Sequence, residues 1–131
     1  DSRAYIFRKF EEIKRKIEFT FAIRNQNGKV IGLVILKDIK WDIGEGELAY
    51  CLDHSEQGKS ITSNSVKQVS KIAFKELNLK KLKIFAHKGN LASIKVAEKA
   101  GFYWSKTLSK AYQPPNEVPL DMELYELQYE R

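Results

Sequence analysis

The sequence predicts an α/β fold of the α+β kind, with a mixed, largely antiparallel central sheet flanked by helices, and three observations predict it. Two β-rich runs, Phe19 to Arg24 and Lys29 to Lys37, are separated by Asn25, Gln26, Asn27 and Gly28, and Asn-Gly is the strongest short hairpin signal. Strand-like and helix-like segments then alternate from Glu47 to Ala100, the pattern of a right-handed crossover. Two further strand-like runs, Phe102 to Tyr112 and Val118 to Tyr129, close the chain around Gln113, Pro114, Pro115 and Asn116.

Taken in order, the first element is expected to be an amphipathic helix from Asp1 to Lys16. Tyr5, Ile6, Phe10, Ile13 and Ile17 recur at helical spacing, and Ser2 stands where a cap belongs. The two hairpin strands follow, then a loop with Asp42, Gly44 and Gly46, then a strand from Glu47 to Leu52 ending in a polar turn. Val66, Val69, Ala73 and Leu77 predict a long helix from Ser60 to Leu77, stopped by Asn78. Leu82 to Ala86 reads as a short strand. Leu91 to Ala100 reads as a helix with Ile94 and Ala97 on one face, and Gly101 sits where a C-cap glycine belongs.

With 131 residues, 43% hydrophobic and 31% charged, residues 1–131 are expected to form a single soluble domain. No apolar run approaches the roughly 18 residues of a membrane span, so no membrane partner is expected. Cys51 is the only cysteine and cannot form an internal disulfide, which fits a reducing cytoplasm. His54 and His87 are too isolated to mark a metal site. The chain begins at Asp1 rather than at a methionine, which suggests a trimmed or partial N-terminus.

The formal charge of +6 has two readings, a generally basic surface or a phosphate-rich partner. Lys9, Glu11, Glu12, Lys14 and Arg15 mix both signs, and the densest basic stretch runs from Lys75 to Lys83. A solvated surface accounts for this, and an anionic ligand remains compatible. Nucleic acid is not expected, because no motif interleaves basic and aromatic residues.

Two local patterns bear on chemistry. A strand followed by Gln57, Gly58, Lys59 and Ser60 and then a helix is the arrangement in which free backbone N–H groups and a helix dipole bind phosphate, although it also describes an ordinary turn. The second pattern is Asn90 and Ser93, then Glu98, Lys99, Ala100, Gly101 and Phe102, following a strand and crossing a helix. Asn90 caps that helix on any reading.

Together with Gly46, Glu47 and Tyr50 on the preceding strand, and Ala73, Phe74, Leu77 and Leu79 closing the long helix, these residues stand in a shared order and spacing. The segment Gly46 to Phe102 resembles the core of the GNAT superfamily of N-acetyltransferases, in particular the branch of ribosomal-protein N-terminal acetyltransferases. The resemblance implies acetyl-coenzyme A as co-substrate, no metal, and direct transfer of acetyl to a primary amine, either a protein N-terminus or a small amine. It implies a coenzyme A site formed by Tyr50, Cys51 and Leu52, by Gln57, Gly58, Lys59, Ser60, Ile61 and Thr62, and by Asn90 and Ser93. The catalytic candidates are Glu47 as general base and Ser93 as proton donor to the departing thiolate, while backbone N–H groups near Tyr50 to Leu52 would stabilise the developing oxyanion. Glu47 also has a plain reading as a solvent-facing strand carboxylate. A monomer or homodimer is expected.

Three departures from the family pattern accompany the resemblance. Ser60 replaces the second glycine of the phosphate turn, and Thr62 the small residue beyond it. Ala97 occupies the place of a tyrosine acid, leaving Ser93, Tyr103 or no acid to serve. The family's first strand and helix are expected before residue 1. A coenzyme A-binding or regulatory module without catalysis is the alternative. Trp41, Trp104, Tyr112 and the Pro114–Pro115 loop are candidates for an acceptor pocket, or else ordinary rim residues.

Overall fold

The computed structural model describes residues 5–13, 16–53 and 60–130. Seven strands and two helices follow one another as β1 (Tyr5–Ile13), β2 (Lys16–Arg24), β3 (Val30–Lys40), β4 (Glu45–Leu52), α1 (Ile61–Lys75), β5 (Lys81–His87), α2 (Leu91–Lys99), β6 (Tyr103–Tyr112) and β7 (Leu120–Gln128). They form one sheet of order β1-β2-β3-β4-β5-β7-β6. Only the β4–β5 pair is parallel; every other neighbouring pair is antiparallel.

The expected first helix is a correction. Residues 5–13 form an edge strand that pairs with β2 from Tyr5 opposite Arg24 to Ile13 opposite Lys16. The segment is rich in aromatic and β-branched residues, Tyr5, Ile6, Phe7, Phe10 and Ile13, which suit a pleated strand at least as well as a helix. Pairing with β2 decides between them, because it satisfies the backbone of one side of β2. The Ser2 cap lies outside the described residues.

The remaining elements fall where their patterns put them. The β2–β3 turn is closed by the Gly28 N–H donating to the Asn25 carbonyl at 3.0 Å, with Gly28 at φ +80°. Asn25 Oδ1 also accepts from the N–H groups of Asn27 and Lys29. Past α1, Asn78 adopts φ +58° and the Leu79 N–H returns to the Ala73 carbonyl, the left-handed ending that stops a helix. Gly101, at φ +95°, ends α2 in the same way and sends Phe102 into the core.

Strand alternation sorts the sheet into two faces. On one, Phe21, Val34, Leu36, Leu48, Leu82 and Ile84 meet Val66, Val69 and Ala73 of α1, and the same cluster takes in Ala97 and Ala100 from α2. On the other, register places Lys37, Glu47, Lys83 and Glu126 in one row across β3, β4, β5 and β7. The charges alternate along that row, the arrangement in which cross-strand neighbours attract. Among the described residues, no helix is long and apolar enough to cross a membrane.

Candidate active site

The parallel pair at the middle of the sheet is short. β4 and β5 are in register only at Glu45–Lys81, Gly46–Leu82 and Glu47–Lys83, although β4 continues to Leu52 and β5 to His87. Beyond Glu47 the strands part, and backbone N–H and C=O groups on the β5 side of β4 are left for another partner. A cavity of about 380 Å³ adjoins this opening.

Three segments line it. From β4 come Tyr50, Cys51 and Leu52; from the start of α1 come Ser60, Ile61 and Thr62; from the start of α2 come Asn90 and Ser93. The structure therefore gathers eight of the predicted cofactor residues from stretches far apart in the chain. Gln57, Gly58 and Lys59 lie outside the described residues.

Each wall has a local cause. Asn90 caps α2, its Oδ1 accepting from the Ser93 N–H at 3.2 Å, as expected. Ser60 precedes α1 at φ +59° and makes no side-chain cap bond; this is the left-handed region, where glycine costs least. Its carbonyl accepts from the Ser63 hydroxyl at 3.1 Å. No acidic residue stands in the first turn of α1, so no side chain of that turn neutralises the positive end of the helix dipole.

Across the cavity the Tyr50 hydroxyl donates to the Ser93 carbonyl at 2.8 Å. Burial pushes the phenol up to about 12, only partly opposed by that hydrogen bond. Tyr50 is thus a neutral donor throughout the physiological range.

Glu47 does not line this cavity. Leu48 and Tyr50 face the helices, so alternation turns Glu47 to the opposite face, at the last β4–β5 pair before the strands part. Its Oε2 lies 3.7 Å from Lys37 Nζ. Burial raises its pKa above the ordinary value, the Asp38 carboxylate adds to the rise, and Lys37 opposes it. A ligand arm passing through the gap from the helix side would emerge beside this carboxylate.

The sequence reading missed several lining residues. Ser63 continues the α1 start, and Ala92, Lys95, Val96 and Lys99 add a second wall from α2. Their spacing of three, four and seven from Ala92 marks one helical stripe, a signal present in the sequence but overshadowed by the core face at Ile94 and Ala97. The family acid position, Ala97, is fully buried in the core. Trp41, Trp104 and Tyr112 do not line the cavity and are all substantially exposed. Trp104 instead donates its indole N–H to Glu123. Among the described residues, no group of three or more His, Cys, Asp and Glu side chains is placed to hold a metal ion.

The fold is a mixed sheet whose central parallel strands part beside a helix N-terminus. The chain belongs to the GNAT acetyltransferase family: the model of the acetyltransferase (GNAT) domain matches residues 1–103. Over 95 residues it is 33% identical to the probable N-acetyltransferase YjcK of Bacillus subtilis (strain 168), covering 71% of this chain and 52% of that protein. The chain thus spans about half the length of this curated relative. Solved structures share the fold. A probable acetyltransferase superposes with a TM-score of 0.78 at 22% identity, over 85% of this chain and 62% of that one. A spermidine N-acetyltransferase from Vibrio cholerae, in complex with CoA and spermine, gives a TM-score of 0.78 at 22% identity, over 85% of this chain and 65% of that one.

Proposed function

We propose that this chain is an acetyl-coenzyme A-dependent N-acetyltransferase that moves acetyl to a primary amine. The observation that carries the reading is the cavity itself, which joins the opening between β4 and β5 to the N-terminus of α1 and, among the described residues, has no carboxylate in its wall. Such a wall suits a polyanionic phosphate ligand at one end. The β4 backbone beyond Glu47 suits an acyl group at the other.

In this reading the α1 start, from Ser60 to Ser63, holds the pyrophosphate together with Gln57, Gly58 and Lys59. Tyr50, Cys51 and Leu52 flank the pantetheine arm, and Asn90 and Ser93 border it from α2. The amine must attack in its neutral form, yet its ordinary pKa lies at about 7.7 to 8.0 for an N-terminus and about 10.4 for a lysine-like amine. Attack on the thioester carbonyl forms the C–N bond and then breaks the C–S bond. The amine proton passes to Glu47, directly or through water, and the thiolate leaves with the bonding electrons and takes up a proton. Ser93 is the candidate donor for that last step.

The acceptor is a protein N-terminus or a small amine. The motif likeness to ribosomal-protein N-terminal acetyltransferases supports the first, and the spermidine N-acetyltransferases of the same fold support testing the second. A second reading, a coenzyme A-binding module without turnover, is favoured by two specific observations: Ser60 sits at a backbone angle that suits glycine, and Ala97 is sealed in the core. Assaying coenzyme A release against spermidine, spermine and peptides with free N-termini separates the readings. Turnover with any of them supports the enzyme; binding of acetyl-coenzyme A with no turnover across the panel supports the module.

A further inference from the structure

Cavity charge is unevenly distributed in a way that the pyrophosphate alone does not use. Lys95 and Lys99 both line the cavity, on the α2 wall opposite the α1 start. They stand four residues apart on one stripe of the helix with Ala92 and Val96, and like charges at that spacing repel. Neither has an ion-pair partner among the described residues. Glu98 is the acid of this helix, but it sits near Tyr125 of β7, whose phenol it helps to raise after burial, and it does not line the cavity. Among the described residues that line the cavity, no carboxylate answers these two lysines.

Coenzyme A carries two separate anionic groups, the pyrophosphate and the 3′-phosphate monoester of its ribose. One helix N-terminus holds one of them. We infer that Lys95 and Lys99 form a second anion subsite, which takes the 3′-phosphate and makes the domain select coenzyme A over its 3′-dephospho form. A phosphate monoester close to −2 at neutral pH relieves the repulsion between the two lysines, and lysine is well suited to such a point-charge contact. Both side chains lie exposed at the rim, so the contact costs little desolvation.

This assignment rests on the cavity being the coenzyme A site, and the test keeps the two ideas apart. Acetyl-coenzyme A and acetyl-3′-dephospho-coenzyme A are titrated calorimetrically into the protein and into its Lys95→Ala, Lys99→Ala and doubly substituted variants, at fixed ionic strength. Thermal melting without ligand checks that all four are folded. The wild type is expected to prefer the 3′-phosphorylated form by about tenfold or more. The double variant is expected to bind both forms alike, at the affinity of the wild type for the dephospho form. Equal wild-type affinity for the two forms overturns the subsite while leaving the coenzyme A site intact. So does a double variant that keeps the preference or weakens both forms equally. Absence of binding by either form overturns the coenzyme A site and the subsite with it.

Discussion

The Tyr50 hydroxyl reaches across the candidate site to donate to the Ser93 carbonyl at 2.8 Å. β4 and α2 diverge around the cavity, and this bond ties the strand wall to the helix wall close to the point where the strands part. Tyr50→Phe keeps the ring and removes the donor. The expected loss is about 1 kcal/mol of stability, typical of a single net hydrogen bond, read as a lower melting temperature. Affinity for acetyl-coenzyme A is expected to fall as the wall loosens.

With Glu47 as the proposed general base, this carboxylate carries the pH dependence. Its folded pKa lies above its ordinary value, chiefly through burial, so the native state holds this proton more tightly than the unfolded chain does. Its contribution to stability is therefore present below the unfolded pKa and is lost as pH rises through the folded one. Glu47→Gln is expected to leave the melting temperature at pH 7 to 8 unchanged or higher. Loss of the partly exposed Lys37 contact, 3.7 Å long, costs little, at most about 1 kcal/mol. Turnover is expected to fall about 100-fold or more, with acetyl-coenzyme A affinity retained.

Lys37 opposes the rise in the Glu47 pKa from 3.7 Å away. Lys37→Met removes that opposition. If the proposed base is Glu47, the acidic limb of the pH–rate profile, where it gains its proton, is expected to move to higher pH. An unmoved limb would assign the limb to another group.

Ser60 holds φ +59° before α1, a conformation that costs a non-glycine residue on the order of 1 kcal/mol. Ser60→Gly is expected to raise the melting temperature, since the Ser63 hydroxyl bonds to the Ser60 carbonyl and that carbonyl survives the substitution. Calorimetry is expected to show acetyl-coenzyme A binding as tight as in the wild type or tighter.

Gly32 sets the approach of β3 to the wall of the site. A Cβ there would lie 2.6 Å from the Cys51 carbonyl oxygen and 2.9 Å from Leu52 Cδ1. Gly32→Ala forces backbone apart rather than a flexible side chain, at a cost of about 1 to 3 kcal/mol. Both melting temperature and cofactor affinity are expected to fall, because Cys51 and Leu52 line the cavity.

Much of the fold was legible because local chemistry and long-range pairing agree. The Asn25 to Gly28 turn, the Asn78 stop and the Gly101 cap are each written in residues whose backbone preferences the structure uses. The first element was misread because Tyr5, Ile6, Phe10 and Ile13 satisfy a helical spacing, while the strand depends on pairing with β2, which no local pattern reveals. In the candidate site, the strand–turn–helix and Asn90–Ser93 signals point to residues that line one cavity. Their meeting was not visible: the Tyr50–Ser93 bond joins residues 43 apart in sequence. Nor was it visible that Glu47 lies on the opposite face of the sheet from the cavity, since that depends on which face of β4 the helices cover.

The central claim is that the cavity walled by β4, α1 and α2 binds acetyl-coenzyme A. Ala92 is exposed on its α2 wall, so Ala92→Glu places a negative charge in the cavity without disturbing the core. Acetyl-coenzyme A is titrated calorimetrically into both proteins. The account predicts one-to-one binding to the wild type, weakened about tenfold or more in Ala92→Glu, with both proteins melting at the same temperature. No binding by the wild type, or equal affinity in the two proteins, would contradict it.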